Sequence, residues 1–214
     1  MPNEIHVLFP GYSVPDPEDK TAMRANCSCT LIKASNNTNI IVDTMTPWDK
    51  RKIVEALATR DVKPDDINIV VNTHGHSDHT GNNNLFVNAE WLIVGECISQ
   101  RDKYLTYNFQ VPYKINDEVE VLSTPGHTIS CVSVIASNCN LGNRVGICGD
   151  LFEKEEDIAD CSIWRSAGSE DPEKQAKNRY KISTLVDYII PGHGMGFKVT
   201  DEMRSKLKED SIYK

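Results

Sequence analysis

The sequence predicts an α/β fold in which two mixed β-sheets stack face to face, with helices on their outer faces. Two observations support this class. Segments typical of strands alternate with helical segments in both halves of the 214-residue chain. Each half also ends in a Pro-Gly-His turn after an apolar run, at residues 125–127 and 191–193. This repetition predicts a sandwich of two similar layers with the turns gathered along one edge.

In the first half, short apolar runs bounded by turn residues predict strands over 5–9, 29–32, 39–42, 65–71 and 91–94. The second and third of these form a hairpin, which Asp43 closes. Thr46 and Pro47 are typical of a helix N-terminus, and an apolar stripe follows them at Ile53, Val54, Leu57 and Ala58. Loops are predicted over 11–19 and, near the cleft, over 104–111, and a short helix over 81–85.

In the second half, strands are predicted over 119–122, 131–135, 144–148 and 188–190. Asp171 and Pro172 begin a helix that runs to about Leu185. The acidic run over 153–160 is interpreted as a solvated loop. The three tryptophans are expected in the core or in cleft walls, and Gly192 and Gly194 are expected to give backbone freedom at a tight turn.

The length fits one domain over residues 1–214. The seven cysteines are scattered along the chain, which favours a reducing, intracellular setting, cytoplasmic or nuclear. The first residues also lack the charged-then-apolar pattern of a secretory leader, which favours the same setting. No apolar run approaches the ~20 residues of a spanning helix, which argues against membrane insertion. Cys27, Cys29 and Cys148 are interpreted as inert core residues.

The net charge of −8 is the opposite of what a nucleic-acid binder usually shows.

The stretch from Thr73 to Gly81 places three imidazoles and one carboxylate within six consecutive positions. His74 and His76 are two residues apart, so both rings project to one side of an extended segment, whereas Asp78 and His79 follow on a turn. One ion cannot comfortably take all four side chains. The spacing therefore predicts two adjacent metal ions, each needing further ligands from distant parts of the chain.

Three further candidate ligands stand where predicted strands end. His127 and His193 occupy the two Pro-Gly-His turns, and Asp150 follows the run over 144–148. Imidazole suits zinc or iron, and a carboxylate can bridge two cations. We therefore expect two divalent metal ions, with zinc favoured and iron or manganese as alternatives. Ions ~3.5–4 Å apart can share a water and lower its pKa from about 15.7 towards about 7. Asp78 and Asp150 are the candidate catalytic residues, with Asp78 orienting the resulting hydroxide.

The seven candidate ligands, in the order in which they occur along the chain, resemble the ligand set of the metallo-β-lactamase superfamily. The resemblance implies an αββα sandwich, in which His74, His76 and His127 hold one metal and Asp78, His79 and His193 hold the other. Asp150 would bridge the two. An aspartate at position 150, where common β-lactamases use cysteine, argues against antibiotic hydrolysis. The 21 residues after His193 leave no room for the glutathione-binding domain of glyoxalase II. The 42 residues between Asp150 and His193 leave none for the cap domain of the large cleavage-factor nucleases.

Further motifs resemble one branch of the superfamily whose fold is close to glyoxalase II. They are Gly11-Tyr12, Asp43-Thr44, Pro47-Trp48, Gly149-Asp150-Leu151-Phe152-Glu153 and Ser169-Glu170-Asp171-Pro172. This resemblance implies an endoribonuclease that cleaves single-stranded histone pre-messenger RNA with a metal-bridging hydroxide. The acidic charge argues for weak unaided RNA binding, so a homodimer or an RNA-processing partner protein is expected to help.

Three alternatives remain open at this point. A small-molecule thioester hydrolase like glyoxalase II needs no basic groove. A mononuclear-iron sulfur dioxygenase would use His74, His127 and Asp150 as a two-histidine, one-carboxylate triad. The third alternative is metal sequestration without catalysis, for which an open metal site is poorly suited.

Overall fold

The computed structural model describes residues 2–212. Its first sheet has seven strands whose spatial order follows the sequence. They are β1 (Glu4–Pro15), β2 (Met23–Lys33), β3 (Asn39–Val42), β4 (Ile69–Asn72), β5 (Trp91–Val94), β6 (Cys97–Gln100) and β7 (Lys103–Leu105). The central strands β3, β4 and β5 are parallel and the outer pairs are antiparallel. Because β3 and β4 are parallel, their carboxyl ends meet at one edge of the sheet.

The second sheet has six strands. They are β8 (Tyr113–Lys114), β9 (Val119–Ser123), β10 (Val132–Ser137), β11 (Arg144–Gly149), β12 (Tyr188–Pro191) and β13 (Phe197–Lys198), in the spatial order β13-β12-β11-β10-β9-β8. Its only parallel pair among the described residues is β11 with β12. The carboxyl ends of these two strands therefore also lie side by side.

Within residues 2–212, five α-helices accompany the sheets: α1 (Lys50–Ala58), α2 (Ser77–Thr80), α3 (Ser162–Ser166), α4 (Pro172–Leu185) and α5 (Asp201–Ile212). One apolar core lies between the sheets and contains Val71 and Val134, one from each layer. A second core joins the outer face of the first sheet to α1, and a third joins the second sheet to α4 and α5. The predicted αββα sandwich of two mixed sheets is confirmed.

Several predicted boundaries were wrong. The first strand extends to Pro15 rather than ending at Phe9, because β1 is an edge strand whose prolines need not donate to a neighbour. Residues 64–66 form a 3-10 turn, so β4 begins only at Ile69. The short helix predicted over 81–85 lies earlier, as α2, with a 3-10 turn over 83–85. The loop predicted over 104–111 begins inside β7, and two of its aromatic rings, Tyr107 and Phe109, pack on the core between the sheets.

The surface predictions also need correction. The run over 153–160 is not simply solvated, because Glu153 and Asp157 are buried. Trp164 is fully buried, whereas Trp48 is 88% exposed and belongs to no core. Cys27, Cys29 and Cys148 are buried as expected, and burial raises the pKa of each thiol. Between residues 2 and 212, no helix has both the length and the apolar character that a membrane crossing requires. The single domain over 1–214 remains a prediction, and Met1, Tyr213 and Lys214 lie outside the described residues.

Candidate metal centre

All seven predicted ligands lie at the ends of strands, on one edge of the sandwich. His74 and His76 follow β4, and α2, which begins next, carries Asp78 and His79. The loops after β9, β11 and β12 supply the remaining three, His127, Asp150 and His193. A hydrogen bond from Val132 N to Thr73 O (2.8 Å) and one from Ser28 N to Gly192 O (2.6 Å) tie the two sheets together here. The fold therefore brings together side chains that are up to 119 positions apart, from His74 to His193.

A first group of side chains consists of His74, His76 and His127 with Asp150. The Nδ1 atom of His76 lies 2.8 Å from His74 Nε2 and 3.1 Å from His127 Nε2. Asp150 Oδ2 is 3.5 Å from His74 Nε2 and 3.3 Å from His127 Nε2. Three ring nitrogens and one carboxylate oxygen thus converge on one point, which is the donor set of a divalent ion.

A second group consists of Asp78, His79 and His193. Asp78 Oδ2 lies 3.9 Å from the Nε2 atoms of both His79 and His193. Asp150 reaches this group as well, because its Oδ1 is 3.2 Å from His79 Nε2 and its Oδ2 is 3.3 Å from His193 Nε2. The carboxylate oxygens of Asp150 therefore lie within 3.5 Å of ring nitrogens from both groups.

The residues fit a pair of cations. His79 Nε2 and Asp150 Oδ1 are buried and have no hydrogen-bond partner within the described chain. Burial lowers the pKa of His74 and of His127, which favours the neutral imidazole that a metal requires. Burial acts to raise the pKa of Asp150, but His79, His193 and His74 hold it well below its usual range. At His79 and His193 burial acts to lower the pKa, but Asp150 outweighs it and raises the pKa, to about 9 for His193, so a metal must displace a proton from these two rings.

Backbone and carboxylate partners fix which ring nitrogen points inward. His79 Nδ1 lies 2.9 Å from Asp43 Oδ2, and His193 Nδ1 lies 3.0 Å from the carbonyl oxygen of Asn26. Because both oxygens can only accept, each ring donates from Nδ1 and leaves Nε2 free for a metal. Asp43 also accepts from Thr73 N at 2.8 Å, which anchors the start of the histidine motif.

The sequence analysis did not assign a site role to Asp43 or Asn26. A signal existed for Asp43, since it directly follows β3, the parallel neighbour of β4. Glu153 was also missed, because it was interpreted as part of a solvated run. Burial, together with the charge of Asp150, raises the pKa of the Glu153 carboxyl to about 8.

Gly192 and Gly194 are required for space rather than for backbone freedom, which corrects the expectation from sequence. Neither residue has a left-handed φ. A Cβ at Gly192 would overlap Asp150 Oδ1, and one at Gly194 would lie 2.8 Å from Lys154 Cβ. The glycine at position 192 therefore allows His193 and Asp150 to approach each other.

Gly192→Ala is expected to lower bound metal and to reduce kcat/KM by about 10² or more, because the new methyl group must displace Asp150. Metal content per chain and steady-state kinetics check this. Gly142→Ala is the matched control, since its nearest neighbour, Asp187 Cβ, lies at an ordinary 3.5 Å. Equal metal content and activity in the two variants would contradict the steric account.

The sequence profile described as "Metallo-beta-lactamase superfamily" matches residues 23–193, which include all seven candidate ligands. This chain belongs to the metallo-β-lactamase superfamily. Metallo-beta-lactamase domain-containing protein 1 of Xenopus laevis is 40% identical over 202 residues, which cover 92% of this chain and 82% of that protein. The Homo sapiens protein of the same name is 33% identical over 229 residues, covering 94% and 84%.

Among solved structures, a mutant of B. thuringiensis AiiA with N-decanoyl-L-homoserine bound at the active site has the same fold. Its TM-score is 0.62 at 18% identity, over 90% of this chain and 92% of that one. Superfamily membership and the His and Asp groups described above support a metal-dependent hydrolase that binds divalent metal.

Proposed function

We propose that this superfamily member is an endoribonuclease that hydrolyses phosphodiester bonds of single-stranded RNA, histone pre-messenger RNA being the expected substrate. The observation that carries the proposal is the pair of adjacent ligand groups sharing Asp150. Two divalent cations bound there, zinc in the first instance, would supply a water of lowered pKa and stabilise the attacking and leaving oxygens of an in-line displacement. The seven ligands hold that centre, and Asp78 orients the attacking water.

An exposed aromatic and basic surface beside the site supports a polynucleotide substrate. Trp48 is followed by Lys50, Arg51 and Lys52, all of them exposed at the start of α1. We call these four residues the Trp48 surface. Exposed aromatic rings stack on unpaired bases, and neighbouring cations pair with phosphates. The surface gives a chain of net charge −8 a local region suited to RNA.

Two hydrogen bonds connect the Trp48 surface to the metal centre. Asn26 donates from Nδ2 to Asp49 Oδ2 at 2.7 Å, and its carbonyl oxygen accepts from His193. Asp49 also pairs with Lys52 at 2.7 Å. These bonds connect the turn that carries Trp48 to His193 of the second ligand group. A second copy of the chain or an RNA-processing protein would add further contacts to the RNA.

Incubation with single-stranded RNA tests the proposal directly. We expect cleavage that requires added metal, and we expect Trp48→Ala to raise KM for RNA by about 5- to 100-fold, the worth of one stacked base. Trp48→Phe should retain most of the binding, and Trp48→Ala should leave hydrolysis of a short, unstacked phosphodiester unchanged. Absence of RNA cleavage by the metal-loaded protein would refute the proposal.

Asp78→Asn is expected to lower kcat by about 10²- to 10⁴-fold at equal metal occupancy, because the neutral amide orients and polarises the attacking water less strongly than the carboxylate. Asp78→Glu keeps the charge and should lose far less. The Asp78 side chain is about one-fifth exposed, so it can face substrate as well as metal. Similar losses in the two variants, with metal content verified for each, would contradict this role.

A small-molecule thioester hydrolase is the second candidate, and a cavity favours it. The cavity has a volume of about 300 Å³ and lies against His193. Tyr12, Val14 and Met195 line it with partly or largely exposed apolar surface, and Lys154, Glu155 and Glu156 add one cation and two carboxylates. The apolar part of this cavity suits an acyl chain. A glutathione thioester hydrolysed much faster than RNA would favour this function.

The dioxygenase alternative would use only His74, His127 and Asp150 and would leave the second group without a role. Oxygen uptake with a persulfide substrate and one iron per chain would support it.

A further inference from the structure

Glu153 is a buried carboxylate at the margin of the second ligand group. Its side chain is 5% exposed, and its Oε2 lies 4.0 Å from His193 Nε2. Its donor oxygen, that of Asp150 and the His193 nitrogen all lie within 4.8 Å of one another. Among the residues that the structure describes, Glu153 Oε1 has no hydrogen-bond partner.

The backbone of Glu153 is held from both sides. Its N–H donates to Asp157 Oδ2 at 2.7 Å, and its carbonyl oxygen accepts from His193 N at 2.8 Å. Arg179 in turn fixes Asp157 and donates to the carbonyl oxygen of Leu151 at 2.8 Å. The carboxylate is therefore kept beside His193 by the same backbone bonds that order the loop after β11.

A buried carboxylate without a partner is strongly unfavourable unless it takes up a proton or a cation compensates it. Arg179 does not fill this role, because its guanidinium is taken up by Asp157 and the Leu151 carbonyl. The remaining neighbour in reach is His193, whose Nε2 also faces Asp78 and Asp150. The carboxylate oxygens of Asp78, Asp150 and Glu153 around His193 therefore indicate a shared cation.

We propose that Glu153 is a further ligand of the second metal position, and that the two positions consequently prefer different metals. This inference rests on the proposed two-metal site. The first group offers three imidazoles and one shared carboxylate, a donor set suited to zinc. With Glu153, the second group offers three carboxylates and two imidazoles, from Asp78, Asp150, Glu153, His79 and His193. Oxygen-rich sets with five or more donors favour manganese or ferrous iron.

Metal titration of the full chain tests this inference. Metal-free protein receives one equivalent of zinc and then increasing manganese, and bound metal is measured by elemental analysis and by the electron paramagnetic resonance of manganese. Glu153→Gln keeps the volume and removes the charge, so we expect manganese affinity to fall by about 10- to 100-fold while the first equivalent of zinc stays bound. Glu153→Asp should restore part of the affinity. The matched control is Glu155→Gln, an exposed glutamate two residues away, which should behave as wild type.

Manganese affinity in Glu153→Gln equal to wild type would overturn the inference, and so would an equal loss in Glu155→Gln. Thermal melts of the metal-free variants verify folding, and Glu153→Asp supplies the comparison if Glu153→Gln does not fold. The outcome of the manganese titration does not depend on whether the protein cleaves RNA. Glu153-dependent manganese binding in a protein that does not cleave RNA would refute the nuclease and retain the ligand.

Discussion

Replacing Asp150 with asparagine is expected to lower kcat/KM by about 10³-fold or more, equivalent to about 4 kcal/mol of transition-state stabilisation. The carboxylate lies within 3.5 Å of ring nitrogens from both ligand groups, so its loss affects both positions at once. The amide has the same size but carries no charge and cannot bridge two cations. Metal content should fall from two ions per chain to one or none, as elemental analysis would show.

Asp160→Asn is the matched control for this experiment. Asp160 lies further along the same connection, is exposed, and within the described chain its carboxylate accepts hydrogen bonds from Ser162 alone. It should retain both metals and full activity. Two ions per chain and unchanged kcat/KM in the Asp150→Asn protein would contradict the bridging role.

Arg179→Met is expected to lower the free energy of unfolding by about 3–5 kcal/mol, the usual cost of leaving one member of a buried ion pair alone. Arg179 is 1% exposed and bonds to both carboxylate oxygens of Asp157, at 2.5 and 2.9 Å. Asp157 itself is fully buried. A chain of this size should lose about 6–20 °C in Tm. Denaturant and thermal unfolding of the metal-free protein measure the change.

Arg144→Met provides the comparison for that variant. Its pair with Glu120, at 3.2 Å, has both side chains about one-third exposed, so its removal should cost about 0–1 kcal/mol. The double replacement of Arg179 by Met and Asp157 by Leu should recover part of the stability, because no charge is then left buried. A single Arg179→Met variant as stable as Arg144→Met would contradict the structural role of the pair.

The sequence indicates where the candidate ligands lie because each of them comes after a short apolar run, in the turn or short helix that follows. Such runs become strands, and strand ends on one edge of a sandwich converge. The Pro-Gly-His turns at His127 and His193 are local signals that need no knowledge of tertiary contacts. The sandwich itself could be predicted from the same alternation of strands and helices.

The residues around the ligands could not be predicted in this way. From the sequence, Glu153 and Asp157 are predicted to belong to a solvated acidic run. Their burial depends on Arg179, which is 26 and 22 positions further along the chain. From its residue type alone, Trp48 is expected in the core or in a cleft wall, but the turn before α1 leaves it 88% exposed. The crowding at Gly192 depends on Asp150, 42 positions away, and has no local signature.

Anomalous diffraction from crystals of the metal-loaded protein, recorded at the zinc, iron and manganese edges, tests the central claim most directly. The account predicts two peaks, one among His74, His76 and His127 and one among Asp78, His79 and His193, with Asp150 in contact with both. A single peak, or two peaks at positions that Asp150 does not join, would contradict it.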